Sequence, residues 1–151
     1  MTLRTTVIVG FTGETEADFR EMLDLLDEIS FEGVATFAYY PEKDAPPATM
    51  SDHIPESVRR ERLEELFDLQ RMISLDKNMD LAGSVRTALV DCVVDDDPEF
   101  SLLGHTEGQA IDVDGVTWIQ AEGDEGVCTG GFVRLEIVDA GEHDLTARIV
   151  V

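Results

Sequence analysis

Arg4-Thr5-Thr6-Val7-Ile8-Val9-Gly10-Phe11-Thr12-Gly13-Glu14-Thr15-Glu16-Ala17-Asp18-Phe19 is the stretch on which the fold turns. Its opening, RTTVIVG (Arg4–Gly10), is β-branched and apolar and ends at a glycine, the pattern of a buried strand. Thr12 to Thr15 is a short connection. Thr15 suits a helix N-cap, and Asp18 three residues on completes a capping-box pattern. Phe19, Met22, Leu23, Leu26 and Ile29 then recur at helical spacing, with acids on the opposite face. This helix should stop near Ser30, before Gly33, and Val34–Tyr39 reads as a second buried strand. Strand, helix, strand with short connections is a βαβ unit, with parallel strands and a right-handed crossover. Parallel sheets are covered on both faces, and nothing downstream repeats the unit. The expectation is therefore a cut through a larger α/β barrel or sheet.

Beyond this unit, Tyr40–His53 is rich in proline and polar residues and reads as a linker. Pro55 suits the first turn of a helix that runs to about Leu81, with Val58, Leu66, Leu69, Met72, Ile73 and Met79 as its apolar positions. Arg59, Arg60 and Arg62 lie beside Glu61–Glu65, which predicts local ion pairs worth only tenths of a kcal/mol each. Gly83 ends the helix. From Ser84 the period changes to short strands: Val85–Val94, Leu102–Thr106, Val116–Gln120, Phe132–Val138 and Leu145–Val151. Turn signals at Asp95–Pro98, Asp114-Gly115, Gly130-Gly131 and Asp139–Gly141 separate them. Five such strands predict a small antiparallel, OB-like barrel, with Trp118 packed in it or lining its face, the core being the preferred place. The fold class is α/β plus all-β, in three parts: the end of a barrel over 1–53, a linking helix over 54–83 and a β-barrel over 84–151.

The charge is lopsided: 33 Asp and Glu against 11 Lys and Arg, a formal net charge of −22 over 151 residues. Both halves share it, with −10 from Met1 to Gly83 (18 acids, 8 bases) and −12 from Ser84 to Val151 (15 acids, 3 bases). Such a surface repels phosphate backbones, so nucleic acid is not the expected partner. It attracts basic proteins; a solubility or salt adaptation reads the same composition equally well. No apolar run reaches the roughly 20 residues of a membrane span, and the N-terminus lacks the pattern of a signal peptide, so the expected location is the cytoplasm, with no membrane partner.

Residues with chemistry are sparse. Cys92 and Cys128 stand 36 residues apart and read as unrelated reduced thiols. His53, His105 and His143 are dispersed, so no metal site is expected, and no nucleophile motif is present. Asp95–Asp97 lacks the spacing of a calcium loop and reads as a solvated turn. Gly10-Phe11-Thr12-Gly13-Glu14 stands apart from these. It lies at the carboxyl end of a strand and the start of a helix, where α/β folds bind ligands, and its glycines permit close backbone approach.

RTTVIVGFTGETEADF resembles the late-barrel motif of radical S-adenosylmethionine methylthiotransferases, IVGFPGETEEDF, with Thr12 in place of proline. FAYYPEKDAPPA (Phe37–Ala48) looks like the family's F-x-Y-S-P-E-x-G-T-P-A, with Tyr40 for serine and Asp44-Ala45 for Gly-Thr. Arg62–Ser84 is similar to L-x-x-L-Q-x-x-I-S-x-x-x-N-x-x-L-x-G, and a TRAM domain would follow. Arg4-Thr5-Thr6 resembles the RimO-type branch, which modifies an aspartate of a small-subunit ribosomal protein, more than the MiaB-like branch, which modifies transfer RNA. Leu102–Val116 resembles the RimO-type G-R-x-x-x-x-A-P-E-I-D-G, with His105 for arginine and a departure at Ala110-Ile111-Asp112.

The resemblance implies an enzyme using S-adenosylmethionine and 4Fe-4S clusters held by cysteine sets that this sequence does not contain, so this chain alone is expected to be inactive and to hold neither group. It implies that Gly10, Gly13, Glu14 and Tyr39 line the adenosine end of the cofactor site when the rest of the barrel is supplied. No residue here is expected to be catalytic. The implied partners are a basic small-subunit ribosomal protein and a separate amino-terminal chain. Other readings are a transfer-RNA methylthiotransferase fragment, a standalone TRAM binding module, half of a split enzyme, and a remnant of a broken gene.

Overall fold

The structure is a computed structural model that describes residues 2–41, 52–95, 97–120 and 127–150. Most of the Tyr40–His53 linker and the middle of the Asp95–Asp97 run lie outside the described residues. The chain divides into two compact units, Thr2–Ile73 and Ser74–Val151.

The first unit holds β1 (Arg4–Val9), α1 (Glu16–Ile29) and β2 (Gly33–Ala38). The strands pair in parallel with Arg4 opposite Gly33 and Val9 opposite Ala38, as the βαβ reading requires. Thr15 caps α1: its hydroxyl accepts from the Asp18 amide at 3.2 Å, and the Asp18 carboxylate accepts from the Thr15 amide at 2.8 Å. Both bonds satisfy amides that a helix start leaves without intrahelical partners. The Thr15 hydroxyl and amide hold the Asp18 carboxyl below the usual aspartate range. Ser30 ends α1 in the left-handed conformation, φ 53°. Val9, Phe19, Leu23 and Leu26 close into a core with Leu66 of the following helix, α2 (Glu56–Met79). Only one face of the strand pair is used this way. Ile8 and Phe37, paired across the strands, remain 53% and 58% exposed on the other.

The second unit is a closed barrel of β3 (Val85–Val93), β4 (Leu102–Thr106), β5 (Thr117–Gln120), β6 (Phe132–Ala140) and β7 (Leu145–Ile149), in the order β3-β4-β5-β7-β6. Its strands fall where the sequence places them. The expectation of an antiparallel barrel needs one correction: the β5–β7 seam is parallel. Closure through β7, which follows β6 by a short turn, sets its direction. Ala88, Val90, Leu102, Ile119, Leu135, Ile137, Leu145 and Ala147 fill the interior. Gly104 permits the tight approach of β4 to β3, since a Cβ there would strike the Leu89 carbonyl. Of the two places open to Trp118, the preferred one, the core, is corrected to the other, the face. Trp118 alternates with the buried Thr117 and Ile119, so it faces outward, and its Nε1 donates to Asp144 at 3.2 Å. The period of two decides against the core for this ring.

Candidate functional site

The β1–α1 turn brings three of the four anticipated residues together, and the end of β2 adds the fourth. Gly10 (φ 73°) and Gly13 (φ 85°) both take left-handed backbone, which glycine adopts at little cost. The Gly10 amide donates to both carboxylate oxygens of Glu14 at 3.0 Å. The Glu14 amide donates to the Phe11 carbonyl at 3.0 Å, closing the turn on itself. Tyr39 is tied to β1 by its amide, which donates to the Val9 carbonyl at 2.9 Å, and its ring lies 4.8 Å from that of Phe11. The Gly13 amide donates to the Asp52 carbonyl at 3.0 Å, and the Thr12 hydroxyl meets His53 Nδ1 at 3.2 Å.

Two arginines of α2 grip this turn, and the sequence reading of local ion pairs does not hold for either. Arg62 is 7% exposed in its side chain and donates to Glu14 at 2.5 Å and to Glu16 at 3.2 Å, with its guanidinium 5.2 Å from the Phe19 ring centre. Arg59 donates to the Tyr39 carbonyl, and its guanidinium lies 4.9 Å from the Tyr40 ring centre. The Arg59 stem packs so closely on Gly10 that a Cβ there would overlap it. Glu14 is 13% exposed in its side chain, so the pair with Arg62 replaces much of its hydration. Arg60 does pair locally, with Glu56 at 3.5 Å. The signal for Arg62 was present: positions 58, 62, 66, 69 and 73 form one helical stripe, apolar except for this arginine.

The groups implied by the resemblance fit these residues unequally. A four-iron cluster takes cysteine thiolates as ligands. The sequence has two cysteines, both exposed in the barrel unit, and this donor set does not fit. No group of three His, Cys, Asp or Glu side chains among the described residues is placed to hold a metal. For S-adenosylmethionine, the Gly10 amide and the Glu14 carboxylate are already bonded to each other, and the carboxylate to Arg62 as well. Gly13 has open space beside it, and the Tyr39 hydroxyl is buried without a hydrogen-bond partner among the described residues. A buried hydroxyl without a partner is costly, and a ligand atom would relieve it. No helix among the described residues is long and apolar enough to cross a membrane.

Comparison with known proteins matches residues 78–150 to the TRAM domain family. Over 145 residues the chain is 39% identical to the ribosomal protein uS12 methylthiotransferase RimO of Xanthomonas axonopodis pv. citri, covering 96% of this chain and 31% of that protein. The proteins of the same name from Syntrophotalea carbinolica and Desulforudis audaxviator are 40% and 39% identical over 150 residues, 99% of this chain and 32% of each. The barrel region thus resembles a TRAM domain, and the relatives named here are uS12 methylthiotransferases by name. The chain spans about a third of the length of these curated relatives. The TRAM domain coincides with the closed barrel and the last residues of α2 before it.

Proposed function

We propose that this chain serves a cytoplasmic methylthiotransferase that acts on an aspartate of ribosomal protein uS12, forming one end of its α/β barrel and its TRAM domain. The observation that carries this is identity near 39% along almost the whole chain, across both units and the connection between them. Two physical features support it. The parallel strand pair has a helix on one face and bare Ile8 and Phe37 on the other, as a segment of a larger barrel wall would. The TRAM domain, at −12 from Ser84 to Val151, suits a basic protein and repels transfer RNA.

In this role Gly10 and Glu14 shape the turn, while Gly13 and Tyr39 present an open flank and a hydroxyl to the adenosine end of S-adenosylmethionine. When bound, that cofactor supplies the radical chemistry of sulfur insertion. The residues here hold and orient it; the iron–sulfur ligands must come from elsewhere. The test is a region swap. This stretch replaces the matching third of the Xanthomonas enzyme, and the product is scored by mass spectrometry of uS12 and of transfer RNA. Methylthiolated uS12 with unmodified transfer RNA is the expected result. A folded, cluster-loaded hybrid that leaves uS12 unmodified, or that modifies transfer RNA, would overturn the proposal.

A further inference from the structure

The outer wall of the barrel carries two neighbouring rows of mostly apolar side chains that lie outside the core. Phe132 on β6, Leu89 on β3 and His105 on β4 stand in one cross-strand row, with Leu89 paired to both. The adjacent row pairs Leu103 with Trp118. All five alternate with buried neighbours along their strands, so their side chains leave the interior. Phe132 is 75% exposed, and Phe100 extends the second row with its ring 5.6 Å from Trp118. Leu89, Leu103, Trp118 and Phe100 are half-buried, and aromatic and apolar side chains gathered outside a core mark interaction surfaces.

Two polar bonds hold the patch in shape. His105 Nδ1 lies 2.9 Å from both oxygens of Asp91, the residue at the β3 bulge, and Trp118 Nε1 is held by Asp144. Bulges re-aim side chains in this way. The same two carboxylates, with Glu99 beside Phe100 and Glu107 just beyond β4, give the patch an acidic rim. Two bases stand near it among the described residues: Arg134, two residues along β6 from Phe132, and Arg148, opposite Gln120 on β5 and paired with Glu136.

We propose that this patch docks a lysine- and arginine-rich segment of a protein, apolar residues and cationic stems lying on the two rows and charged heads reaching the rim carboxylates. The barrel is closed, so a partner has no sheet edge to extend and must be read through side chains. Single-stranded RNA also stacks on aromatics, but here its phosphates would face carboxylates. The inference rests on the reading that the TRAM domain receives a basic protein, and narrows it to one face.

Trp118 is the sole tryptophan of the chain and lies in the patch, so its emission reports occupancy. The 151-residue chain is titrated with a peptide of alternating lysine and leucine, with a single-stranded RNA oligonucleotide and with purified uS12. The peptide should shift Trp118 emission saturably, and less tightly as salt rises. Phe132→Ser and Leu89→Ser should each weaken it about tenfold, the size expected of central contacts. Met72→Ser, on α2, should leave it unchanged. Circular dichroism confirms folding, and His105→Gln supplies a second readout should Leu89→Ser fail to fold. Peptide binding indifferent to Phe132→Ser, or RNA binding tighter than the peptide, would overturn the patch. Patch-dependent peptide binding without uS12 binding would support the patch and count against uS12 as the target. Binding of uS12 that ignores Phe132→Ser would overturn the patch and leave that target standing.

Discussion

The two units solve the problem of burying a sheet in opposite ways. The barrel closes on itself, pairs every strand on both sides and seals Leu135, Ile137 and Ala147 at 0% exposure. The strand pair β1–β2 is sealed on one face by α1 and α2, and leaves Ile8 and Phe37 bare on the other. The barrel has a complete core without help. The strand pair has half of one, and its most buried polar contact, Arg62 with Glu14, clamps the turn where the anticipated site lies. The contrast teaches that the barrel's core is self-contained while that of the strand pair is one-sided, which under the proposed function a larger wall would complete.

Substitutions that break the comparison have sizes that follow from burial. Ile137→Ala opens a cavity in the closed core and should cost about 3–4 kcal/mol, read from denaturant unfolding followed at Trp118. Arg62→Met strands a nearly buried carboxylate and should cost the first unit about 3 kcal/mol, with Gly10 amide exchange speeding up. Glu14→Gln in the same background should recover part of that loss, because it removes the stranded charge.

Thr15→Ala removes the cap and should cost about 1 kcal/mol of α1 stability by circular dichroism. That contribution is pH-dependent with a definite sign. The Asp18 carboxyl titrates lower when folded than when unfolded, because the Thr15 hydroxyl and amide donate to it. Its stabilisation is therefore complete above the ordinary aspartate range and fades as pH falls through the lowered folded value. Thr15→Ala should flatten this acid dependence. The smallest effect is the most telling: Phe37→Thr, on the bare face, should change stability by less than about 0.5 kcal/mol and improve solubility. A loss of 2 kcal/mol or more would mean that this face is covered within the chain, and would remove the contrast.

Much of this was legible in the residues. The Thr15–Asp18 box, the stop at Ser30 and the period-two runs of the barrel are local signals, and the elements appeared where those signals stand. What escaped depends on neighbours distant in sequence. The parallel β5–β7 seam follows from closure, which no single strand encodes. His105 and Asp91 meet across a bulge, 14 residues apart, and Arg62 meets Glu14 across 48. For Trp118 a large aromatic favours the core over the face, whereas its alternation with Thr117 and Ile119 puts it on the face. Of the four anticipated residues, Gly10, Gly13 and Glu14 lie in the turn that the sequence pattern marks. The pattern could not show that the Gly10 amide and the Glu14 carboxylate bind each other.

The central proposal is that the acidic barrel unit receives a basic ribosomal protein. The most direct measurement is equilibrium binding of the 151-residue chain to purified uS12 and, separately, to transfer RNA, over a series of salt concentrations. The account predicts saturable binding of uS12 that weakens steadily as salt rises, and none to transfer RNA. Tight binding to transfer RNA with no affinity for uS12 at low salt would contradict it.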